Sequence, residues 1–363
     1  MAKLIGSYLS DASEAVVSAA TGRVHALVLG APGWGKSTLL RSFAARVLAP
    51  AFAFSCDPTT PASRACGRPH AAALLEGREV MYVEGSLADP SLKGAVVDEI
   101  FRASDPLWDA MLPVLERSRP VVLATANWVA KGERVEALKD RVALWVWLVP
   151  RLSPDEAGDV AESSLRALNG ALPGVGYSYD GWPEPDAVSS IWRMIPGKKA
   201  ARAVSEAVRV LAQEAAKAGF QVNPRRVDQW ARLLYGRTCL ETGTEEWTEV
   251  SPVALRALQY AWPVENDADA AAWRQVVLRI VDRTGALIQA ILAEVKEKLQ
   301  GLSSAQLAER AAKAMELSRF ISEKEAALKA LDDPRAKELR QSLDRWYRLA
   351  IQGVDPWKEG VGD

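Results

Sequence analysis

Residues Gly30-Ala31-Pro32-Gly33-Trp34-Gly35-Lys36-Ser37 read G-x-x-x-x-G-K-S. The segment follows the apolar run Val24–Gly30 and opens a helix-patterned stretch, which is the context this motif requires. Nothing else in the chain constrains its fold as strongly. Glycines let backbone N–H groups turn inward around phosphates without Cβ clashes. The first turn of the following helix adds its dipole. Gly30, Pro32, Gly33, Trp34 and Gly35 then form the phosphate loop, and Lys36 sets a charge on the β- and γ-phosphates. Ser37 ligates Mg²⁺, and Thr38 adds a hydroxyl toward the α-phosphate. Bound ATP and Mg²⁺ are the expectation.

A parallel sheet is expected around this loop. Val24–Gly30, Ala51–Ser55, Ala95–Asp98, Val121–Thr125 and Val142–Val149 read as core strands, with Val80–Val83 as a short hairpin strand. Ser37–Leu48 and Pro106–Glu116 have helical spacing. Strands alternating with helices argue for an α/β layer covered on both faces. One strand ends in Asp98-Glu99. Beside the phosphate loop, Asp98 can hold the Mg²⁺ shell and Glu99 can orient or deprotonate an attacking water. Asn127, at the tip of Val121–Ala126, can hold that water from its other side. Arg141 closes the segment Glu136–Arg141 and cannot easily reach its own chain's phosphates. It reads equally as a surface arginine paired with Asp140 or as a group that reaches a neighbour's phosphate in a ring.

After Pro150 the strand signal stops. Ser153-Pro154-Asp155-Glu156 reads as a helix start, and 170–185 as a loop rich in Gly, Pro and Tyr. Lys198–Ala218, Pro224–Tyr235 (capped by Asn223) and Pro252–Trp262 read as helices. Trp273, Val277, Ile280, Leu287, Ile291, Val295 and Leu299 form one apolar stripe on a long helix that Gly301 can end. A second helix runs to about Leu331, and Asp333-Pro334 opens a third that carries Leu339, Leu343, Trp346 and Leu349. The expected organisation is an α/β nucleotide-binding domain over 1–152, a helical lid over 153–263 and a three-helix domain over 264–363.

The charge balance limits the partners. There are 45 basic and 46 acidic residues in all, with 16 and 15 in 1–150 and 16 and 17 in 261–363, so no polybasic face is implied. That weighs against nucleic acid. No apolar run is long enough to span a membrane, and Met1–Ser10 lacks the basic-then-apolar pattern of a secretory signal. Cys56, Cys66 and Cys239 cannot all pair and show no C-x-x-C spacing, so reduced cytoplasmic thiols are expected. Trp108, Trp230, Trp273 and Trp346 fit helix core faces, while Trp34 is expected to face solvent or a neighbouring subunit.

Five ordered segments carry a family resemblance: GAPGWGKST (30–38), VVDEIFRASDPLWDAMLPVLE (96–116), VVLATAN (121–127), ALKDRV (137–142) and VNPRRVDQWARLL (222–234). Together they resemble the AAA+ ATPases, and within these the MoxR branch. The phrases Asp98-Glu99-Ile100-Phe101-Arg102-Ala103 and Leu258-Gln259-Tyr260-Ala261-Trp262 look most like the RavA-type members. The resemblance covers Gly30 to about Trp262. It implies a P-loop AAA+ core, a helical lid and a C-terminal helical domain. It implies Asn127 as sensor 1, Arg141 as an arginine finger acting in trans, and Arg225 as sensor 2, with Arg226 the competing choice. It further implies a ring, commonly a hexamer, that remodels a protein partner, usually one with a von Willebrand factor A domain. A motor or loader on nucleic acid is the alternative, and a scaffold without turnover a third. Two features bear on the resemblance. Only Arg117-Ser118-Arg119-Pro120 precedes Val121, where the family carries a hairpin. Glu79–Ser86 fits the family's helix-2 insert, with Met81 and Tyr82 either lining a pore or packing as a small hairpin.

Overall fold

The computed structural model describes residues 9–69, 75–76, 81–148, 181–303, 307–329 and 334–352. The chain divides into two compact units, Met1–Val277 and Leu278–Asp363.

The first unit opens with helix α1 (Ser10–Gly22) and strand β1 (His25–Leu29), then α2 (Lys36–Val47), β2 (Ala51–Ser55) and the short α3 (Ser63–Cys66). A two-residue antiparallel pair follows, β3 (Arg68–Pro69) with β4 (Met81–Tyr82). Next come β5 (Gly94–Asp98), α4 (Asp105–Met111), β6 (Val121–Ala126), α5 (Glu133–Arg141) and β7 (Val142–Trp147). The helices after the sheet are α6 (Pro185–Ile191), α7 (Lys198–Lys217), α8 (Pro224–Thr242), α9 (Pro252–Ala257) and α10 (Asp267–Val281).

The sheet is parallel with order β2-β5-β6-β1-β7. Every residue of β1 and β6 is buried, as a strand covered on both faces demands. The edge strand β2 is mostly exposed. Register then fixes the site. Leu29 pairs with Ala126 and Val97 with Ala124, so the residues following β1, β5 and β6 emerge together at one edge.

All five core strands stand where the apolar runs place them. The helices show larger differences. Helix α1 has no amphipathic stripe to betray it, because it is buried nearly all round: Leu9, Ala12, Ser13, Ala15, Val16, Ala19 and Ala20 have no exposed surface. Three polar ties hold other elements to it. Trp182 Nε1 donates to Ser13 Oγ (2.7 Å), Trp192 Nε1 to the Ala20 carbonyl (2.8 Å), and Tyr260 Oη to Asp11 Oδ1 (2.8 Å). Helix α8 meets α1 backbone to backbone, since a Cβ on Gly236 would stand 2.3 Å from the Thr21 carbonyl oxygen.

Helix α8 runs to Thr242, past the expected Tyr235, and α4 stops at Met111, short of Glu116. Residues 112–120 form turns. The expected long C-terminal helix is two, α10 and α11 (Arg283–Ser303), broken at Asp282; Gly301 lies inside α11 and does not end it. Trp273 packs in the first unit, in an aromatic cluster with Phe220, Trp230 and Trp262 at centroid distances of 5.0–5.7 Å. The expected helix start at Ser153 lies outside the described residues, as does most of the 170–185 loop; α6 begins at Pro185.

In the second unit, α11, α12 (Leu307–Lys329) and α13 (Pro334–Ile351) bury Ile291, Val295, Leu299, Leu317, Ile321, Leu339, Leu343 and Trp346 in one core. No helix among the described residues is long and apolar enough to cross a membrane.

His25 opens β1 with its ring buried. Nδ1 accepts from the Val122 N–H (3.0 Å), which puts the proton on Nε2, facing the Leu115 carbonyl (3.1 Å). Burial pushes its pKa down to about 4. The unfolded chain takes up this proton below about pH 6.5, whereas the folded chain resists it until pH 4. The stability held by neutral His25 is therefore complete above pH 6.5 and is lost between 6.5 and 4, by about 3 kcal/mol. His25→Gln keeps one donor and one acceptor without titrating, and should flatten that part of the curve in denaturant melts. Identical pH slopes for the two proteins would refute the assignment. Gly236→Ala should cost about 1–3 kcal/mol through the α1–α8 clash. Gly301→Ala, whose Cβ meets nothing within 4 Å, should be neutral or stabilising in the same thermal melts.

Candidate functional site

The loop leaves β1 at Gly30, and Gly30, Gly33 and Gly35 all take positive φ. Gly35 is the left-handed N-cap of α2, a conformation that a side chain would strain. Pro32 and Gly33 are exposed; Trp34 and Gly35 are half-buried, and Thr38 is half-buried in the first turn of α2.

Lys36 is buried at 5% exposure, so its ammonium must find acceptors. It donates to the carbonyls of Gly30 (2.7 Å) and Ala31 (2.8 Å) and to Asn127 Oδ1 (2.9 Å). Burial lowers its pKa, while Glu99 and Asp98 oppose the shift. The other end of the same amide, Asn127 Nδ2, donates to Glu99 Oε1 at 2.6 Å. Only one amide orientation satisfies both partners, because an ammonium only donates and a carboxylate only accepts. Lys36, Asn127 and Glu99 thus form a polarised chain. Glu99 holds a left-handed backbone (φ 54°), an uncommon geometry for a side-chain-bearing residue.

Ser37 Oγ donates to Asp98 Oδ1 at 2.6 Å. Thr125 Oγ1 donates to the same oxygen and accepts from the Glu99 N–H at 3.1 Å. Arg41 stands 3.8 Å from Asp98 Oδ2. Ser37 and Asp98 are hard oxygen donors, and among the described residues no group of three or more His, Cys, Asp or Glu side chains forms a metal cage. That set fits Mg²⁺, which binds through one or two carboxylates together with water and substrate phosphates. Thr125 was not singled out from sequence. Its one signal in the sequence is a hydroxyl near the end of an otherwise apolar run, and in the structure that residue is wholly buried.

Arg141 and Arg225 stand elsewhere. Arg141 Nη1 donates to the Ala137 carbonyl (2.9 Å), and its Nη2 pairs with Glu116, not with Asp140. Arg225 approaches the same Glu116 oxygen at 3.6 Å. They line a cavity of about 130 Å³ with Arg23, Arg117, Asp228 and Arg232. The cavity sits where β1 and β7 begin, since His25 pairs with Val142. The phosphate loop sits where β1 ends, about 13 Å further along the strand. Arg226, the competing candidate, is buried at 4% exposure and lies over the Trp262 ring, whereas the Arg225 side chain is 45% exposed. Glu116 had no motif to mark it. Met81 and Tyr82 form β4, paired antiparallel with Pro69 and Arg68 of β3, in keeping with the short hairpin strand read at Val80–Val83.

Residues 25–150 match the family profile of the AAA domain, dynein-related subfamily. No curated protein matches the chain. A solved structure of a Cytophaga hutchinsonii protein, described as an inferred ATPase, is 16% identical with a TM-score of 0.52, over 77% of this chain and 90% of that one. At that identity the likeness is one of fold. The fold is the AAA+ P-loop α/β core followed by helices.

Proposed function

We propose that this chain hydrolyses ATP as a ring of its own copies and uses the cycle to remodel a protein partner, in the manner of the RavA-type MoxR proteins. One observation carries the reading. Lys36, Ser37, Asp98, Glu99 and Asn127 gather at one edge of the sheet, while Arg141 and Arg225 gather at the other on a single carboxylate. A site that needs both sets is completed by a second copy.

The residue roles follow from the chemistry. Lys36 leaves the Gly30 and Ala31 carbonyls for the phosphates. Ser37 and Asp98 hold Mg²⁺, which neutralises charge on the phosphate oxygens when bound. Glu99, aligned by Asn127, takes the proton of the attacking water. Arg141 and Arg225 of a neighbouring copy exchange Glu116 for the transferring phosphoryl group, where such an arginine is worth about 10³–10⁵ in rate. The ordered motifs support a hexamer, chaperone-like work and a von Willebrand factor A domain partner. The even charge balance weighs against a nucleic-acid track, and the free cysteines Cys56, Cys66 and Cys239 support a cytoplasmic setting.

Lys36→Ala should abolish ATP binding in calorimetry; tight retained binding would refute the loop assignment. Glu99→Gln should bind ATP and lose about 10²–10⁴ in turnover. An equal, near-zero rate in both proteins would favour a scaffold. Arg141→Ala should bind ATP yet not hydrolyse it, and Glu99→Gln subunits, which still donate Arg141, should restore turnover in mixtures. Pull-down with ATP-locked Glu99→Gln should retain a protein with a DxSxS metal-site motif. Salt-dependent capture of a DNA fragment instead would favour the motor reading.

A further inference from the structure

The end of α5 that presents Arg141 is held by one face of α8. Asn223, Arg226 and Gln229 recur every third residue, so they share that face. Asn223 caps α8 by accepting from the Arg226 N–H (2.8 Å), and its Nδ2 donates to Asp140 Oδ1 (2.9 Å). Gln229 Nε2 donates to the carbonyls of Asp140 (2.9 Å) and Arg141 (3.1 Å). The Arg226 guanidinium donates to the carbonyls of Lys139, Val142 (3.3 Å) and Ala143 (3.3 Å). Two side chains therefore satisfy every carbonyl from Lys139 to Ala143.

A helix leaves its last carbonyls without partners, and they carry the negative end of its dipole. Arg226 answers both needs at some cost, since burial pulls its guanidinium down to about 10. The Arg141 side chain contributes less to its own placement. Its Nε is buried without a partner, and one of its two contacts is to its own helix. The backbone that carries Arg141, fixed by α8, sets where the guanidinium points.

We propose that Arg226 and Gln229 are positioning residues for the trans-acting Arg141, holding the end of α5 so that the guanidinium meets a neighbour's phosphate. This rests on the trans role of Arg141. The bland alternative is that the two side chains only glue α8 to the sheet, and then their loss would harm the subunit that carries the change.

Gln229 Oε1 has no partner, so Gln229→Met removes only the two amide hydrogen bonds. The full-length variant should fold, keep KM for ATP within about twofold and lose about tenfold to a hundredfold in kcat, the usual cost of ångström-scale misplacement. Arg226→Met should do the same and Arg226→Lys should fall between; if Arg226→Met does not fold, Gln229→Met decides. The discriminating test mixes each variant with Glu99→Gln subunits, whose Arg141 is correctly held. Turnover should return as it does for Arg141→Ala. A parent-like rate for Gln229→Met alone would overturn the proposal. So would recovery of Arg141→Ala but not of Gln229→Met, which leaves the trans reading intact. If Arg141→Ala itself is not restored, the trans reading falls and this proposal with it.

Discussion

The site is organised by one buried charge. The Lys36 ammonium sits at the end of a wholly buried strand, and a charge out of water must be met by several acceptors at once. Two of them are loop carbonyls, which fixes how the phosphate loop folds back. The third is Asn127, which can accept from Lys36 only if its nitrogen faces Glu99. The placement of the Glu99 carboxylate is thus a consequence of satisfying a lysine. The left-handed backbone at Glu99 and the Thr125 hydroxyl on its N–H complete that placement.

What could be read from the sequence was what repeats locally. Buried parallel strands are apolar runs, and the phosphate loop is a contiguous motif, so the sheet, Lys36, Asp98, Glu99 and Asn127 were all legible. Helix α1 was not, because a helix buried on every side has no polar face to set its period. Nor were Thr125 and Glu116. Thr125 answers to Asp98, 27 residues away, and Glu116 to Arg141, 25 residues away; no pattern marks either partner. Burial likewise separates Arg225 from Arg226 in a way no local pattern shows. Arg226 is enclosed by carbonyls of Lys139–Ala143 and by Trp262, while its neighbour one residue earlier points out.

The abundant tryptophans have a plain physical use. Trp230 and Trp262 stack on Trp273, Phe220 meets Trp262 and Trp273 edge-on, and two ring nitrogens reach carbonyls: Trp230 that of Ala261, Trp273 that of Leu258. Large rings bury much area with few rotatable bonds, and the buried N–H groups of Trp230 and Trp273 each have an acceptor. On the other flank α8 meets α1 through glycine, where the approach is too close for any side chain. The helices after the sheet are therefore locked to one another by bulky rings on one side and to α1 by bare backbone on the other.

These contacts bear on how the first unit of the chain can move. Helix α8 is pressed on α1 by Gly236, packed on Trp262 through Arg226 and Trp230, and bonded to five consecutive carbonyls that run from the end of α5 into β7. A displacement of α8 confined to itself would strip those carbonyls of its donors, although Val142 keeps Trp145 Nε1 (3.1 Å), and a buried polar group left unpaired costs about 1–3 kcal/mol. Moving α8 together with α5 keeps the bonds to Lys139, Asp140 and Arg141, and leaves only those to Val142 and Ala143 of β7 to give. Within the first unit, the mechanically cheap motion is the one in which the helix bearing Arg225 and the turn bearing Arg141 travel as one body. Both arginines then keep their spacing from each other as they move, while Glu116, on the turns after α4, lies outside that body.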